Sequence, residues 1–446
     1  MQSCEISITG LSHDGQGVGR LDDGQVVFVP DLLPGERALI RLERSSRRHL
    51  VAQVQQRLLD SPQRRRPPCI LADHCGGCSL QHLSYAGQLA SKQDAVRQAM
   101  QRIGQLQAPL AALVGSSSDL GYRNRAVIPL ERDERGTLRA GFYRRGSHRI
   151  VNMNHCPVLD PRLDDLVAPL KADLDATGWP VDRHLISGGG LRHLALRVGH
   201  HSGEMLITLI ASHGADAFDG LPDLAASWME RWPQVVGVLL NQQPKATNAL
   251  FGPVTEVIAG REWLSEHFCS LRFQLGCDTF FQVNTPQAER VTELLLQALP
   301  QPNCQLIDAY CGVGAFSLPL AAAGHRVIGL EVHAGAVELA RCNAQLNGLE
   351  QRARFEQGEV AQHLASLLPL CDAVLLDPPR KGLDAATRQA LIDQPVQTLL
   401  YLSCDPATLA RDLGALSQGP YALKSLQALD FFPNTSHTEC LAVLSS

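Results

Sequence analysis

Three short polar motifs contain the side chains of this sequence that are best suited to covalent chemistry. The motifs are Asp377-Pro378-Pro379-Arg380, Ser403-Cys404-Asp405-Pro406 and His437-Thr438-Glu439. The first two follow AVLL and TLLYL, apolar runs typical of buried strands. Ligands of open α/β sheets bind at the carboxyl ends of the strands. We therefore expect Asp377 and Cys404 to point into one crevice, together with Asp308 and Glu331 from two earlier strand ends.

A thiol and a carboxylate at one site suit the methylation of a pyrimidine carbon. C5 of uracil is a poor nucleophile, and addition of a thiolate at C6 turns the ring into an enolate whose C5 can attack a methyl donor. A base must then remove the C5 proton before the thiolate leaves, and the nucleobase must be unstacked to reach the pocket. On this interpretation Cys404 is the nucleophile, Glu439 accepts the proton and His437 is the alternative acceptor. The competing interpretation of Cys404 is a buried structural thiol.

A glycine turn predicts the cofactor site. Residues 308–316, DAYCGVGAF, follow a predicted strand and open a predicted helix, so Gly312 and Gly314 allow a ligand to approach the backbone closely. The third glycine of the dinucleotide fingerprint is absent, because position 317 is Ser. Glu331 lies 19 residues after Gly312 at the next strand end, where a carboxylate can accept hydrogen bonds from ribose hydroxyls. We expect S-adenosylmethionine, since the loop need not hold a pyrophosphate; an ordinary tight turn is the alternative.

Four cysteines have a spacing that suits metal coordination. Cys69, Cys75 and Cys78 form a C-x5-C-x2-C group, and Cys156 follows within Asn154-His155-Cys156-Pro157. Four thiolates can hold a zinc ion or an iron–sulfur cluster. The spacing alone leaves zinc, a cluster and no metal as open alternatives.

The elements that must position these groups fall into three predicted parts. Residues 1–60 combine short β-rich pieces with glycines, which predicts a small barrel. Residues 61–275 predict an α+β domain with a hairpin and further strands. Residues 276–446 alternate strands and helices, which predicts an α/β, Rossmann-like, doubly wound parallel sheet. Pro62, Pro67 and Pro68 indicate a linker after the barrel.

Composition is that of an ordinary soluble globular protein, with 45% hydrophobic and 19% charged residues and a net charge of -5. Thirteen cysteines, an odd number, do not resemble a secreted disulfide framework. The sequence has no apolar run long enough to span a membrane and no secretory signal, so we expect a cytoplasmic chain. The segment from position 37 to 66 contains nine arginines but only two acidic residues. Such a segment is typical of phosphate contacts or of a solvated face. The arginines are Arg37, Arg41, Arg44, Arg47, Arg48, Arg57, Arg64, Arg65 and Arg66.

The set of motifs, in this order, resembles the RNA uracil-C5-methyltransferases over nearly the whole chain. The likeness is to the iron–sulfur type that modifies 23S ribosomal RNA in bacteria. It includes the three motifs above, the DAYCGVG loop, Thr435-Ser436 and the phrase Phe281-Gln282-Val283-Asn284. Gly15-Gln16-Gly17-Val18-Gly19-Arg20 makes the first part similar to the RNA-binding TRAM barrel.

The resemblance implies roles for individual residues. Cys404 would be the nucleophile and Glu439 the base, and the four cysteines would hold a 4Fe–4S cluster that fixes the domain or the RNA path rather than transferring electrons. Cofactor contacts would come from Gln282, Tyr310, Glu331 and Asp377, and Glu359 would meet the adenine amino group. Position 315 is Ala where relatives place a polar contact, so no contact is assigned there.

Several functions remain as alternatives at this point. One is an enzyme of similar fold that methylates cytosine C5 or an amine, although an amine needs no covalent cysteine. Another is uridine methylation in transfer RNA. A third is a catalytically silent RNA-binding factor in ribosome assembly, for which the pair Cys404 and Glu439 would have no use. A monomer acting on 23S ribosomal RNA is the expectation that we take forward.

Overall fold

The computed structural model describes residues 3–45, 50–186, 188–299 and 303–446. Of the nine arginines noted above, Arg47 and Arg48 lie outside these residues, as does the side chain of Arg44. No helix in the described ranges is long and apolar enough to cross a membrane.

The N-terminal part is a closed five-stranded barrel in the order β1-β2-β3-β5-β4, with β4 returning to pair with β1. This confirms the predicted small barrel. Alternating side chains of its strands, such as Ile6, Ile8, Val27 and Val29, are buried inside it. Its strands are β1 (Ser3–Leu11), β2 (Gly17–Arg20), β3 (Val26–Val29), β4 (Arg37–Ser45) and β5 (Leu50–Leu59).

The central part is a six-stranded sheet in the order β11-β10-β9-β8-β6-β7, and β6 and β7 form the predicted hairpin. Helices α2 and α3 pack on this sheet and bury Leu170 and Trp228. The elements are α1 (Tyr85–Ala99), β6 (Arg125–Arg132), β7 (Leu138–Ala140), α2 (Pro161–Ala176), β8 (Leu191–Val198), β9 (Met205–Ala211), α3 (Leu221–Arg231), β10 (Val235–Gln242), β11 (Val254–Gly260), β12 (Trp263–Phe268) and β13 (Leu271–Gly276).

The C-terminal part contains a seven-stranded sheet in the order β16-β15-β14-β17-β18-β20-β19. The first five strands are parallel, and β20 runs antiparallel to both of its neighbours. This is the predicted doubly wound architecture, with the strand order reversing between β14 and β17. The elements are α4 (Thr285–Ala298), β14 (Gln305–Ala309), α5 (Ser317–Ala322), β15 (Arg326–Glu331), α6 (Ala334–Leu346), β16 (Ala353–Gln357), α7 (Val360–Leu367), β17 (Ala373–Leu376), α8 (Ala385–Asp393), β18 (Thr398–Ser403), α9 (Pro406–Ser417), β19 (Ala422–Leu429) and β20 (Glu439–Ser445).

Residues 85–114 lie against this C-terminal sheet, although they precede the central sheet in sequence. Helix α1 packs on α9, and Val96 joins the apolar core on that side of the sheet. Leu110 and Val114 form parallel bridges with Leu426 and Leu429 of β19. The outer edge of the sheet is therefore covered by a segment from the other end of the chain.

Candidate active site

The glycine loop follows β14 at the edge where the parallel strands end. Tyr310, Gly312 and Gly314 all have positive φ, at 70°, 54° and 84°. A Cβ on Gly314 would lie 3.1 Å from the ring of Phe355, so this position has no room for a side chain. The amide of Gly312 donates to the Glu331 carboxylate at 3.1 Å, as does the amide of His333 at 2.8 Å. The loop and the end of β15 thus form one unit in which Glu331 is oriented.

Buried carboxyl groups collect along this edge. Asp308 is 1% exposed, accepts a hydrogen bond from the Ser317 hydroxyl, and has a second oxygen without a partner among the described residues. Burial, together with repulsion from Glu331, raises its pKa to about 7. Burial and repulsion from Asp308 raise the pKa of Asp377 to about 7 as well. Such an edge suits a ligand that carries positive charge.

Cys404 and Glu439 meet across two antiparallel strands. Ser403, the last residue of β18, pairs with Cys440 of β20, so Cys404, which follows Ser403, faces Glu439, which precedes Cys440. Burial, together with the Glu439 charge, raises the pKa of the Cys404 thiol to about 11. Glu439 is 4% exposed, and burial, with repulsion from Asp377, raises its pKa well above the usual value. The two predicted catalytic side chains therefore lie within one electrostatic site.

The chain around Cys404 is fixed on both sides. Its N-terminal neighbour ends a buried strand, and its C-terminal neighbour, Asp405, caps α9 by accepting from the amides of Ala407 and Thr408 at 2.9 Å. Pro406 begins the helix, as its fixed φ favours. The short turn leaves Cys404 half-buried at the carboxyl edge.

Arg380 is a cation of this site that the sequence analysis did not assign. Its positive charge opposes the rise in the pKa of Cys404 and Glu439 and contributes to the lowered pKa of His437. Its guanidinium Nη2 lies 3.3 Å from Nε2 of His437. Desolvation and the Arg380 charge lower the pKa of His437 to about 4, so this imidazole is neutral near pH 7. Its position, fourth in Asp-Pro-Pro-Arg after a strand, was the signal available in the sequence.

The remaining predicted cofactor residues lie around the same edge. Gln282 is buried, and its carbonyl accepts from Nδ2 of Asn124 at 3.0 Å. The phenol of Tyr310 lies close to Thr387 and Asp384, and burial raises its pKa to about 12. Glu359 is exposed just before α7, beside Gly358, whose amide donates to the Glu331 carbonyl at 3.0 Å.

Two exposed apolar side chains near the glycine loop escaped the sequence analysis. Val332, directly after Glu331, and Phe280 are each 60% exposed. A Cβ added at Gly312 would lie 4.0 Å from the Phe280 carbonyl oxygen, which places residue 280 beside the loop. Their apolar surfaces could pack on an adenine or ribose, and the residue after the acidic strand end was the signal for Val332.

The four predicted cluster cysteines lie in two loops that come together. The thiols of Cys69 and Cys75 accept hydrogen bonds from the amides of Leu71 and Gly77, each at 3.4 Å. Burial raises the pKa of Cys78 to about 11 and that of Cys156 to about 12, and in both cases the other thiols add to the shift. Within the described ranges, no group of three or more His, Cys, Asp or Glu side chains is arranged to hold a single metal ion.

Two family profiles match the chain. Residues 261–446 match the tRNA (uracil-5-)-methyltransferase family, and residues 2–54 match the TRAM domain. An uncharacterized RNA methyltransferase of Parasynechococcus marenigrum is 50% identical over 99% of this chain and 95% of its own length. One from Synechocystis sp. is 45% identical over the same shares of the two chains.

A solved structure is similar over the whole chain. The Pyrococcus abyssi tRNA (uracil-54, C5)-methyltransferase in complex with S-adenosyl-L-homocysteine superposes with a TM-score of 0.75 at 25% identity, covering 99% of this chain and 100% of that one. The resemblance in motifs, the sheet topology and these relatives agree. This chain belongs to the family of S-adenosylmethionine-dependent RNA (uracil-5-)-methyltransferases that carry a TRAM domain.

Proposed function

We propose that Cys404 and Glu439 carry out uridine C5 methylation and that the substrate is 23S ribosomal RNA. The observation that supports the catalytic roles most strongly is the register of β18 and β20, which sets the two side chains opposite each other at the carboxyl edge. The other support is chemical, since a carbon nucleophile must be generated before a methyl group can be transferred.

The residues of the site perform the steps in order. The Cys404 thiolate adds to C6 of the flipped uracil, and the electron pair moves onto O4 as an enolate. S-adenosylmethionine supplies the electrophilic methyl group, which C5 attacks as the carbon–sulfur bond of the sulfonium breaks. Glu439 then takes the C5 proton, and the electron pair of that C–H bond expels the Cys404 thiolate from C6.

The charges around the pair suit this sequence. Arg380 opposes the rise in the Cys404 pKa that burial and the Glu439 charge cause, and so favours the thiolate that a nucleophilic cysteine requires. The carboxylate of Glu439 is a strong base because burial raises its pKa. A positive charge entering the edge lowers the pKa of Asp377 and Glu439, so occupation of the site favours the ionised base.

We place the methyl donor against the glycine loop. Glu331 would accept hydrogen bonds from the ribose hydroxyls, and Glu359 would contact the adenine amino group. The other parts of the methyl donor would be contacted by Gln282, Tyr310 and Asp377. The residues fit a positively charged methyl donor for two reasons. The donor would give the unpartnered Asp308 oxygen a neighbour of opposite charge, and it would reduce the repulsion between the carboxyls of Asp308 and Glu331. Because Gly314 has no Cβ, the loop can pack closely on Phe355 of β16.

A mechanism-based trap tests the catalytic assignment. RNA that contains 5-fluorouridine should form a stable covalent adduct with the protein and the methyl donor, because fluorine cannot leave as a proton. Cys404→Ala should form no adduct, whereas Glu439→Gln should form adducts with ordinary RNA that release slowly. Cys342→Ala, an exposed cysteine on α6, is the matched control. Failure of donor-bound protein to form any adduct would contradict the proposal.

The RNA class needs its own test. The cysteine pattern and barrel support 23S ribosomal RNA through the resemblance stated above, whereas the description of the C-terminal family profile and the Pyrococcus enzyme favour transfer RNA as the second candidate. Methyl transfer to 23S and to transfer RNA transcripts should be compared, and the modified uridine located by mass spectrometry. Faster, Cys404-dependent methylation of transfer RNA would overturn the ribosomal assignment.

We propose that the chain acts as a monomer, which light scattering tests.

We further propose that Cys69, Cys75, Cys78 and Cys156 hold a 4Fe–4S cluster. Support comes from the raised pKa values of Cys78 and Cys156, to which the charges of other thiols in the set contribute, and a cluster accepts thiolates farther apart than one zinc ion does. The amides that donate to two of the sulfurs support the same arrangement. Anaerobically purified protein should contain four irons and four sulfides per chain. This content should be lost in Cys156→Ser and kept in Cys342→Ser. Stoichiometric zinc would contradict this assignment.

A further inference from the structure

A cavity of about 630 Å³ lies beside the cysteine loop and is lined by neither Cys404 nor Glu439. One wall is Gly76 and Gly77, and the amide of Gly76 donates to the Tyr143 carbonyl at 2.8 Å. A Cβ at Gly76 would lie 3.0 Å from that carbonyl, so the two backbones pack tightly. The volume is within the range of about 300–1,000 Å³ typical of small-ligand sites.

Aromatic rings line this cavity in fixed positions. Tyr143 and His148 pack edge to face with their centroids 5.6 Å apart. Arg183 lies 5.1 Å from the centre of the Tyr143 ring and donates to the His148 carbonyl at 3.1 Å. Leu250, across the cavity, is 44% exposed. The guanidinium covers part of the half-buried Tyr143 ring, and the cavity is bounded by the rest of that ring, by the exposed His148 ring and by Leu250.

His193 adds a polar group to the lining. It is 5% exposed on β8, and its Nδ1 has no hydrogen-bond partner within the described ranges. Burial and the charges of Arg192 and Arg183 lower its pKa to about 4. At neutral pH the imidazole is uncharged, so the cavity wall carries no charge at this position.

An arginine-rich groove continues from the cavity to the barrel. The groove shares Arg144 and Arg145 with the cavity and also contains four arginines from β5 and the segment after it. Three acidic residues, Asp31, Glu43 and Asp73, line it as well. The four further arginines are Arg57, Arg64, Arg65 and Arg66. Carboxylates already pair with four of the six arginines, so Arg66 and Arg144 are the ones that the described residues leave for a phosphate backbone. The four pairs are Arg57 with Asp60, Arg64 with Glu36, Arg65 with Asp119 and Arg145 with Asp31.

We propose that the cavity binds a second, unpaired nucleobase of the substrate RNA, with the adjoining phosphates in the arginine-rich groove. The inference rests on the proposed function only in requiring an RNA substrate. Single-stranded RNA is recognised by stacking of unstacked bases on aromatic and guanidinium planes and by hydrogen bonds to base edges. Tyr143 and His148 provide the planes, and Arg144 the phosphate contact. This base is distinct from the methylated uridine.

Binding of a labelled single-stranded RNA 20-mer of mixed sequence to the full chain tests the subsite. Tyr143→Ala should raise the Kd roughly tenfold or more, as expected for loss of one stacked base. Trp263→Ala is the matched control, because Trp263 lies under Arg261 at 4.2 Å but outside this cavity. His148→Ala, an exposed position, should weaken binding as well and does not depend on how Tyr143→Ala folds.

Photocrosslinking of the wild-type chain to RNA containing 4-thiouridine provides an independent measurement. Crosslinked peptides should include residues 142–148, and the RNA nucleotide attached there should differ from the one that crosslinks near Cys404. Unchanged Kd values for both variants, or crosslinks that omit residues 142–148, would overturn the subsite. Cys404-dependent methylation of the 23S and transfer RNA transcripts distinguishes this failure from failure of the proposed function, since methylation would then persist without the subsite.

Discussion

At the scale of single residues, the site concentrates like charges and has the Arg380 cation beside them. Asp308, Asp377 and Glu439 each have a raised pKa because they are buried together at the sheet edge. Arg380 acts in the opposite direction on Glu439 and Cys404. A ligand that brings positive charge reduces the repulsion among these buried carboxyls, and this favours its binding.

Replacing Arg380 should therefore change the pH dependence of catalysis. In Arg380→Gln the pKa values of Cys404 and Glu439 should rise further, because the cation that lowers both is lost. We expect kcat/KM at pH 7.5 to fall roughly tenfold to a hundredfold, with the ascending limb of the pH profile moved to higher pH. Lys381→Gln, an exposed neighbour, is the control. An unchanged pH profile would refute this role.

Removing a buried carboxyl should stabilise the ligand-free protein. The folded-state pKa of Asp308 is about 7 against an ordinary 3.8, so folding binds a proton and stability falls as pH rises between these values. Asp308→Asn should raise the Tm at pH 8, and the gain should shrink below pH 7 and vanish near pH 4. Thermal denaturation at three pH values tests this, with exposed Asp372→Asn as control. A gain in Tm that grows with acidity would contradict this prediction.

Calorimetry should show that Asp308→Asn binds S-adenosylhomocysteine more weakly than the unchanged protein does.

At the scale of elements, the turn between β19 and β20 is held by segments far away in sequence. Asn434 is fully buried with a φ of 68°. Its amide side chain accepts from Arg65 at 2.7 Å and from Gln88 at 3.1 Å, and its carbonyl accepts from the Leu80 amide at 2.9 Å. Residues on both sides of the cysteine loop thus position the turn that leads to Glu439. Nearby, Lys92 and Asp430 form a buried ion pair that ties α1 to the same turn.

Asn434→Ala should reduce catalysis by mispositioning Glu439. The variant loses the hydrogen bonds that the amide oxygen accepts from Arg65 and Gln88, at a cost of roughly 1–3 kcal/mol of unfolding free energy. Gln88 keeps its hydrogen bonds to the Leu80 and Leu83 carbonyls. We expect kcat to fall about a hundredfold with little change in KM for RNA. Steady-state kinetics and denaturant unfolding measure the two effects. Ser436→Ala, in the same turn, should leave both nearly unchanged; equal kinetic losses in the two variants would argue against the positioning role.

At the scale of the whole molecule, the barrel is joined to the rest by charged contacts. The buried carboxylate of Glu36 accepts from Arg64 and from the amides of Leu33 and Ser61. Arg145 of the central part reaches Asp31 of the barrel at 3.3 Å. The arginine-rich groove lies along this junction, so the barrel and the central part form one RNA-binding surface in our proposal.

Salt dependence should reveal that surface. Removal of one arginine that binds a phosphate reduces the slope of log K against log salt by about 0.7 for a single strand. We expect Arg66→Gln and Arg144→Gln each to lower the slope by roughly that amount and to weaken binding of different RNA sequences about equally. Fluorescence anisotropy at several salt concentrations provides the measurement. Arg102→Gln, exposed but outside the groove, should keep the slope; a similar decrease there would refute a specific path.

The sequence by itself determined the local parts of this protein. Short β-rich segments separated by glycines predicted the barrel, and the alternation of strands and helices predicted the doubly wound sheet. Both patterns could be recognised because they depend on residues that are neighbours in the sequence. The Asp405-Pro406 pair behind Cys404 likewise begins α9 as local preferences dictate. The matching of the motifs in order was enough to predict the enzyme family.

Only the tertiary structure decided how distant segments combine. The antiparallel return of β20 sets Glu439 opposite Cys404, residues 110–114 cover the edge of β19, and Arg380 approaches His437. The cavity beside Tyr143 is formed by a loop, a hairpin and β8. Such juxtapositions depend on strand pairing and packing between residues far apart in the chain. No local pattern specifies them, because their free energy appears only when the whole core has formed.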